Sequence, residues 1–323
     1  MKREKHSACR HIDFSLFSFH FSLFILCCNR ISNSSYFSFL IFMDTSHATS
    51  DSSHGTLYSS LFTHNSSLKV TLLGTGTSGG VPSLGCQCDV CRSTDPRDRR
   101  LRCVALVESA TTRVLIDCGP DIRQQLMPLP FKLFDAILMT HIHYDHVGGI
   151  DDLRPFSVFG QIRLYGDDKT CRQIQNVMPY CFGDHLYPGV PRLEMHEIFP
   201  HVPLHIGDLT IVPIQVMHGK MPILGFRIGM FAYITDMKTI ADTELPYLEG
   251  VETLVVNALR FEKEHHSHQL VDDAVRFARS IGAKRTYITH VCHHIGLYTQ
   301  AQQRMPDGVT LAYDGMVINV DAK

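Results

Sequence analysis

Apolar residues recur along this chain in short runs, and several of the runs stop on a glycine, an aspartate or a histidine. Runs of that kind, bounded by turn residues, predict buried strands. They fall at KVTLLGTG (69–76), RCVALVES (102–109), TRVLIDCG (112–119), FDAILMTH (134–141), QIRLYG (161–166), LTIVPIQVMHG (209–219), LGFRIG (224–229), FAYITD (231–236), VETLVVNAL (251–259) and KRTYITH (284–290). VTLAYDGMVINV (309–320) predicts a closing hairpin around Asp314 and Gly315. Helical patterning is rarer. DIRQQLM predicts a short helix, DHVGGIDDL opens a second, and DKTCRQIQNVM carries a third. In SHQLVDDAVRFARSIG (267–282), Leu270, Ala274, Phe277, Ala278 and Ile281 share one face and Gly282 supplies the stop. Residues 179–203, rich in Pro, Tyr and His, predict a loop or cap. Grouped strands followed by helix–strand units predict an α/β fold, two sheets packed face to face with helices outside.

The first 68 residues break this pattern. Residues 1–42 hold eight Phe and eight Ser, and residues 44–67 are polar and rich in Ser, His and Thr. The polar stretch 44–67 reads as disordered, and 1–68 together as an extension outside the fold, with Met43 the nearer start and 69–323 the folded domain. MKREK followed by FSLFSFHFSLFILCC also fits a secretory signal, although serines and His20 interrupt it. The remaining composition excludes more than it identifies. A net charge of −2 argues against a general nucleic-acid binder. No clean apolar run reaches the roughly 18 residues of a spanning helix, so no membrane partner is expected. The eleven cysteines are scattered rather than paired, which favours a reducing, cytoplasmic location.

The densest chemistry lies in THIHYDHVGG (140–149), where His141, His143, Asp145 and His146 follow an apolar run. Residues two apart in a strand share a face, so His141 and His143 point the same way if the strand continues through them. Asp145 and His146 follow in the turn that opens the next helix. Imidazole and carboxylate donors together suit zinc, manganese or iron. Three further apolar runs each end on a candidate ligand: His218, Asp236 and His290. Seven donors exceed the needs of one ion but fit two ions sharing a carboxylate. Asp117, at the end of RVLID, suits a role in orienting a ligand. A second cluster, GCQCDVC, places Cys86, Cys88 and Cys91 in a C-x-C-x-x-C knuckle that binds zinc once a fourth ligand is found. The preceding GTGTSGG matches a dinucleotide fingerprint, but Pro82 and the cysteines stand where its helix would begin.

The motif HIHYDH, with Asp117, His218, Asp236 and His290 in register, resembles the metallo-β-lactamase superfamily over residues 69–320. The resemblance implies an αββα sandwich with a two-metal site at one edge. It assigns His141, His143 and His218 to one metal, and Asp145, His146 and His290 to the other, with Asp236 bridging. LLGTGTSGGVPSLGCQCDVC, DPRDRRLRC and HIHYDH together resemble the PhnP family, phosphoribosyl cyclic phosphate phosphodiesterases. That family adds a structural zinc, whose fourth ligand would here be His293, with His294 and Cys292 as rivals. It also has a catalytic histidine before the late helix, matched by His268, with His265 and His266 in the same loop. The implied reaction is hydrolysis of a small phosphodiester by a metal-activated hydroxide, the active-site pair being Mn or Zn. Asp145 would ligate and steer that hydroxide, while His268 would protonate the leaving alkoxide or hold the phosphate. The implied partner is a small phosphodiester, with a homodimer left open. A tRNase Z-like ribonuclease, a thioester hydrolase resembling glyoxalase II, and a non-catalytic relative resembling PqqB share parts of the pattern.

Overall fold

A computed structural model describes residues 67–322 apart from 184, 185 and 187. The expectations for residues 1–66 lie outside the described residues. Among the described residues the strands form two seven-stranded sheets. The first runs β14 (Met316–Val320), β1 (Leu68–Gly74), β2 (Val104–Glu108), β3 (Arg113–Ile116), β4 (Ala136–Leu138), β5 (Ile162–Gly166), β6 (Leu193–Glu197). The second runs β13 (Val309–Leu311), β12 (Arg285–Thr289), β11 (Thr253–Asn257), β10 (Phe231–Ile234), β9 (Met221–Ile228), β8 (Leu209–His218), β7 (Leu204–Ile206). Each sheet is antiparallel on one side and parallel on the other, the parallel part being β3 to β6 in one and β10 to β13 in the other. The helices are α1 (Asp89–Arg92), α2 (Ile122–Leu126), α3 (Tyr144–Val147), α4 (Asp168–Val177), α5 (Val271–Ser280) and α6 (Tyr298–Gln303).

Three apolar layers follow from strand alternation. Val70, Leu72, Val114, Ile116 and Leu138 meet Phe226, Phe231 and Tyr233 between the sheets. The alternate residues Leu73, Leu115 and Ile137 pack outward against Ile122, Leu153 and Ile174. On the far side, Ala232, Ile234, Leu254 and Val256 pack against Val271, Ala274 and Ala278 of α5. Strands buried on both faces read as continuous apolar runs, which is why no polar alternation marked them in the sequence. The result is the αββα sandwich.

Three expectations need correction. Val309–Val320 is not a hairpin: β13 pairs with β12 in the second sheet, whereas β14 pairs with β1 in the first. The turn signal at Asp314 and Gly315 instead marks a crossing between sheets, where Asp314 accepts from Thr75 Oγ1 at 2.7 Å and from the Leu101 N–H at 2.6 Å. The proline-rich stretch 179–203 contains β6, which joins the parallel edge of the first sheet. The late helix starts at Val271; Ser267 and His268 lie in a bend, Leu270 is extended, and the Leu259 N–H donates to Gln269 O at 2.9 Å.

A candidate dinuclear metal centre and a cysteine knuckle

The candidate ligands collect at one edge of the sandwich, at or just beyond the carboxyl ends of β4, β8, β10 and β12. β4 ends at Leu138, so the strand does not continue through His141 and His143 and the condition for strand alternation to aim them is not met. The turn after the strand does that work, and His143 caps α3 while Asp145 and His146 occupy its first turn. α3 can sit so close because two glycines make room. A Cβ on Gly119 would lie 2.1 Å from Asp145 O, and one on Gly149 would lie 2.1 Å from Gly119 O. Asp117, Asp236 and His290 each adopt left-handed backbone, with φ of 65°, 56° and 54°. That conformation bends the chain sharply at the strand end, and Asp and His tolerate it better than most residues.

Two donor sets result. His141, His143, His218 and Asp236 form one, and Asp145, His146, Asp236 and His290 the other, with the ligand atoms of each set within 4.8 Å of one another. Asp236 belongs to both. Its Oδ2 lies 3.5 Å from His141 Nε2 and 3.2 Å from His146 Nε2, and its Oδ1 lies 2.9 Å from His290 Nε2. Asp145 Oδ2 lies 3.2 Å from His146 Nε2 and 3.5 Å from His290 Nε2. Close as they are, the buried Nε2 atoms of His146 and His290 make no aligned hydrogen bond. Nitrogens and carboxylate oxygens that crowd together without pairing share a common focus, the arrangement a cation requires. The donor set therefore fits a pair of divalent ions.

Neighbouring polar groups orient most of the rings. His146 Nδ1 lies 2.7 Å from Asp117 Oδ2, and Asp117 is itself held by the Thr140 N–H at 2.8 Å. His218 Nδ1 donates to the Ser267 carbonyl at 3.0 Å, leaving Nε2 for the site. Thr140 Oγ1 lies 3.0 Å from His141 Nδ1. Asp117 was legible as an orienting group, but the Ser267 carbonyl was not, since a backbone acceptor leaves no signature in residue type. His268 sits beside both sets, its ring centre 4.7 Å from that of His218 and 4.9 Å from that of His290. It is buried, and its Nδ1 has no partner on the protein. His265 stacks behind it at 4.9 Å, and His266 is exposed.

Burial opposes charge on His146 and His290, but Asp236 and the nearby carboxylates outweigh it; His146 is raised well above its usual range and His290 to about 9. Burial would raise Asp236 and Asp145, yet the two cationic imidazoles hold both carboxylates below their usual range. Burial, reinforced by His290, lowers His268 to about 3. Protons on His146 and His290 thus balance the carboxylates in the metal-free protein, and divalent ions compete for the same lone pairs. Ion binding near neutral pH should therefore release protons, with affinity rising as pH climbs through about 9, where His290 gives up its own. The linkage to folding has the same origin. Raised from 6.5 to about 9, His290 stabilises the metal-free fold fully below pH 6.5 and ceases to do so as pH climbs through about 9. Titration calorimetry in buffers of different ionisation enthalpy counts the protons, and a count of zero near neutrality would contradict this account.

The second cluster assembles as well. Cys86, Cys88, Cys91 and His293 offer ligand atoms within 4.8 Å of one another. His293 Nδ1 lies 3.2 Å from Cys91 Sγ and 3.6 Å from Cys88 Sγ, while neither His294 nor Cys292 belongs to the set. Cys88 is exposed, and the Cys91 backbone N–H lowers its thiol, whereas burial pushes the Cys91 thiol up to about 11. An apolar cavity of about 510 Å³, lined by Ile122, Leu126, Phe131 and Phe156 among others, shares no residue with either cluster.

An αββα sandwich with donors gathered at the strand ends is the architecture of the metallo-β-lactamase fold, a hydrolase fold. Residues 112–291 match a family model described as a β-lactamase superfamily domain. A crystal structure described as a new diphosphatase from the PhnP family is 37% identical, with a TM-score of 0.73 over 79% of this chain and 97% of that one. A Porphyromonas gingivalis protein named octanoyltransferase is 40% identical over 257 residues, 79% of this chain and 52% of the relative. Coenzyme PQQ synthesis protein B of Methylobacterium radiotolerans is 30% identical across 58% of this chain and 72% of its own length. The chain belongs to the metallo-β-lactamase superfamily and is PhnP-like within it. It spans about half the length of the Porphyromonas relative. No helix among the described residues is long and apolar enough to cross a membrane.

Proposed function

We propose that the protein is a metal-dependent phosphodiesterase acting on small phosphodiesters, with cyclic esters such as a phosphoribosyl cyclic phosphate as leading candidates. The observation that carries this reading is the meeting of seven donors in two sets that share Asp236. His141, His143 and His218 would hold one divalent ion, Mn²⁺ or Zn²⁺, and Asp145, His146 and His290 the other, with Asp236 between them. Such a pair lowers the pKa of coordinated water and withdraws charge from a phosphoryl oxygen. The knuckle of Cys86, Cys88, Cys91 and His293 would hold a structural zinc.

The chain's own groups do the positioning. Asp117 and the Ser267 carbonyl fix the rings of His146 and His218. Asp145, buried beside His146 and His290, can accept a hydrogen bond from the attacking water while it ligates. His268 is neutral near neutral pH, so its N–H is suited to hold a phosphoryl oxygen rather than to deliver a proton. This favours the second of the two roles expected for it.

A second reading, cleavage of a diphosphate, draws on the printed description of the PhnP-family crystal structure. It uses the same ions and the same hydrogen bond, and differs only in the leaving group. The acyl transfer named for the Porphyromonas relative is not carried over, because this chain spans only 52% of that protein.

The test is turnover by purified protein loaded with Mn²⁺ or Zn²⁺. The panel is bis(p-nitrophenyl) phosphate, cyclic and linear nucleoside phosphodiesters, a diphosphate and an acyl thioester. Phosphodiester turnover well above thioester turnover is expected. Preference for the diphosphate would select the second reading. Loaded protein that cleaves only the thioester would overturn both.

A further inference from the structure

We propose that the cysteine knuckle is a positioning device for His290, so that its occupancy controls the Asp145–His146–His290 donor set and not the His141–His143–His218 set. The coupling rests on both clusters being metal sites, as proposed above.

Three observations carry it. The first is how His290 is held. His146, His218 and His141 each have an Nδ1 placed by Asp117, the Ser267 carbonyl and Thr140 respectively. His290 Nδ1 has no hydrogen-bond partner on the protein, and its Nε2 faces only the candidate ligand carboxylates Asp145 and Asp236. Its aim is therefore set by its backbone. The second is that this backbone is left-handed, at φ 54°. A non-glycine residue keeps that conformation only where its flanks are held.

The third is what holds the flanks. On one side His290 continues β12, which is paired to β11 through Thr289. On the other side the Val291 N–H donates to Thr75 O at 3.1 Å, and the Val291 carbonyl accepts from the Thr77 N–H at 3.0 Å. Three residues after His290, His293 enters the knuckle against Cys88 and Cys91. The same segment that begins at Thr75 carries Cys86 and Cys88 in its loop and Cys91 in α1. Segments 75–91 and 290–293 are thus fastened to each other twice, once by the Val291 ladder and once by the thiolates and His293. Removing the knuckle ligation leaves the Val291 ladder and the Cys292 N–H, which donates to Leu259 O at 3.0 Å, to hold a left-handed residue whose ring faces only the carboxylates of its own donor set. His141, His143 and His218 stand on other elements, β4's exit and β8.

The test uses the full chain loaded with Mn²⁺ in the active site and Zn²⁺ in the knuckle. Metal content is measured by mass spectrometry, and the Mn²⁺ pair is read by electron paramagnetic resonance, where two neighbouring ions give a coupled signal. Cys88→Ser should lose the zinc and bind the second Mn²⁺ about 10–100-fold more weakly, turning the coupled signal into that of one isolated ion. A companion measurement guards against misfolding of the variant. An organomercurial titrated into the native chain should eject zinc and uncouple the pair together, and excess dithiothreitol with zinc should restore both. Zinc loss with an unchanged coupled signal would overturn the proposal, and so would equal loss of both Mn²⁺ ions. A native chain that never binds zinc through thiolates, or never shows a coupled pair, would instead overturn the metal-site reading itself.

Discussion

Asp236→Asn should reduce phosphodiester turnover by about 10³-fold or more and should abolish the binding of two ions at once. No other side chain belongs to both donor sets. Its carboxylate places one oxygen toward His141 and His146 and the other toward His290, so a neutral amide loses the charge and one of the two acceptor oxygens together. Asparagine is the informative replacement because the backbone there is left-handed at φ 56°, which Asn adopts readily and Ala does not. Alanine would mix backbone strain with lost ligation. In the metal-free variant, His146 and His290 lose their main carboxylate partner, so both imidazoles should titrate lower than in the native chain. Metal content by mass spectrometry, beside turnover of bis(p-nitrophenyl) phosphate at saturating Mn²⁺, checks the claim. A variant that retains two ions and more than about a tenth of native turnover would remove Asp236 from its bridging place.

Most of this centre was readable because metal ligation needs particular side chains. Strand-end histidines and aspartates stand out against apolar runs, and all seven converge as the sequence suggested. The cysteine cluster stood out for the same reason, and the structure groups His293, rather than His294 or Cys292, with its three cysteines. What stayed hidden was backbone. The aim of His141 and His143 comes from a turn after a three-residue strand, which alternation along an apolar run cannot reveal. The Ser267 carbonyl that fixes His218 has no residue-type signal, nor does the left-handed backbone of Asp117, Asp236 and His290. The fold failed to announce itself in two places. β6 lies among prolines and charged residues at a sheet edge, where only one neighbour constrains it. The final two strands look like a hairpin locally, and only the competition between two sheets for partners separates them.

His268→Ala should lower kcat by roughly 10²-fold while leaving both ions bound, because its ring stands beside the donor sets without joining either. The more telling variant is His268→Gln. Burial and the adjacent His290 hold His268 at about 3, so the ring is neutral across the working pH range and offers an N–H donor, not an acidic proton. A glutamine amide also offers a neutral N–H from a side chain of similar length, and so should recover part of the lost rate. The pH dependence follows with its sign. A neutral donor gives kcat no falling limb at alkaline pH assignable to His268, whereas a general acid would give one that disappears in the variant. The chain also fixes where this donor points. Ser267, the preceding residue, accepts from His218 Nδ1, so the loop that carries His268 is tied to a ligand of the first set. Substitution of the ring alone leaves that carbonyl in place, which is why metal content should survive. Steady-state kinetics from acid to alkaline pH on native, Ala and Gln forms, each with measured metal content, decides between the roles. A Gln form as inactive as the Ala form, together with loss of a native alkaline limb, would make His268 a proton donor; loss of an ion in either variant would make it a ligand.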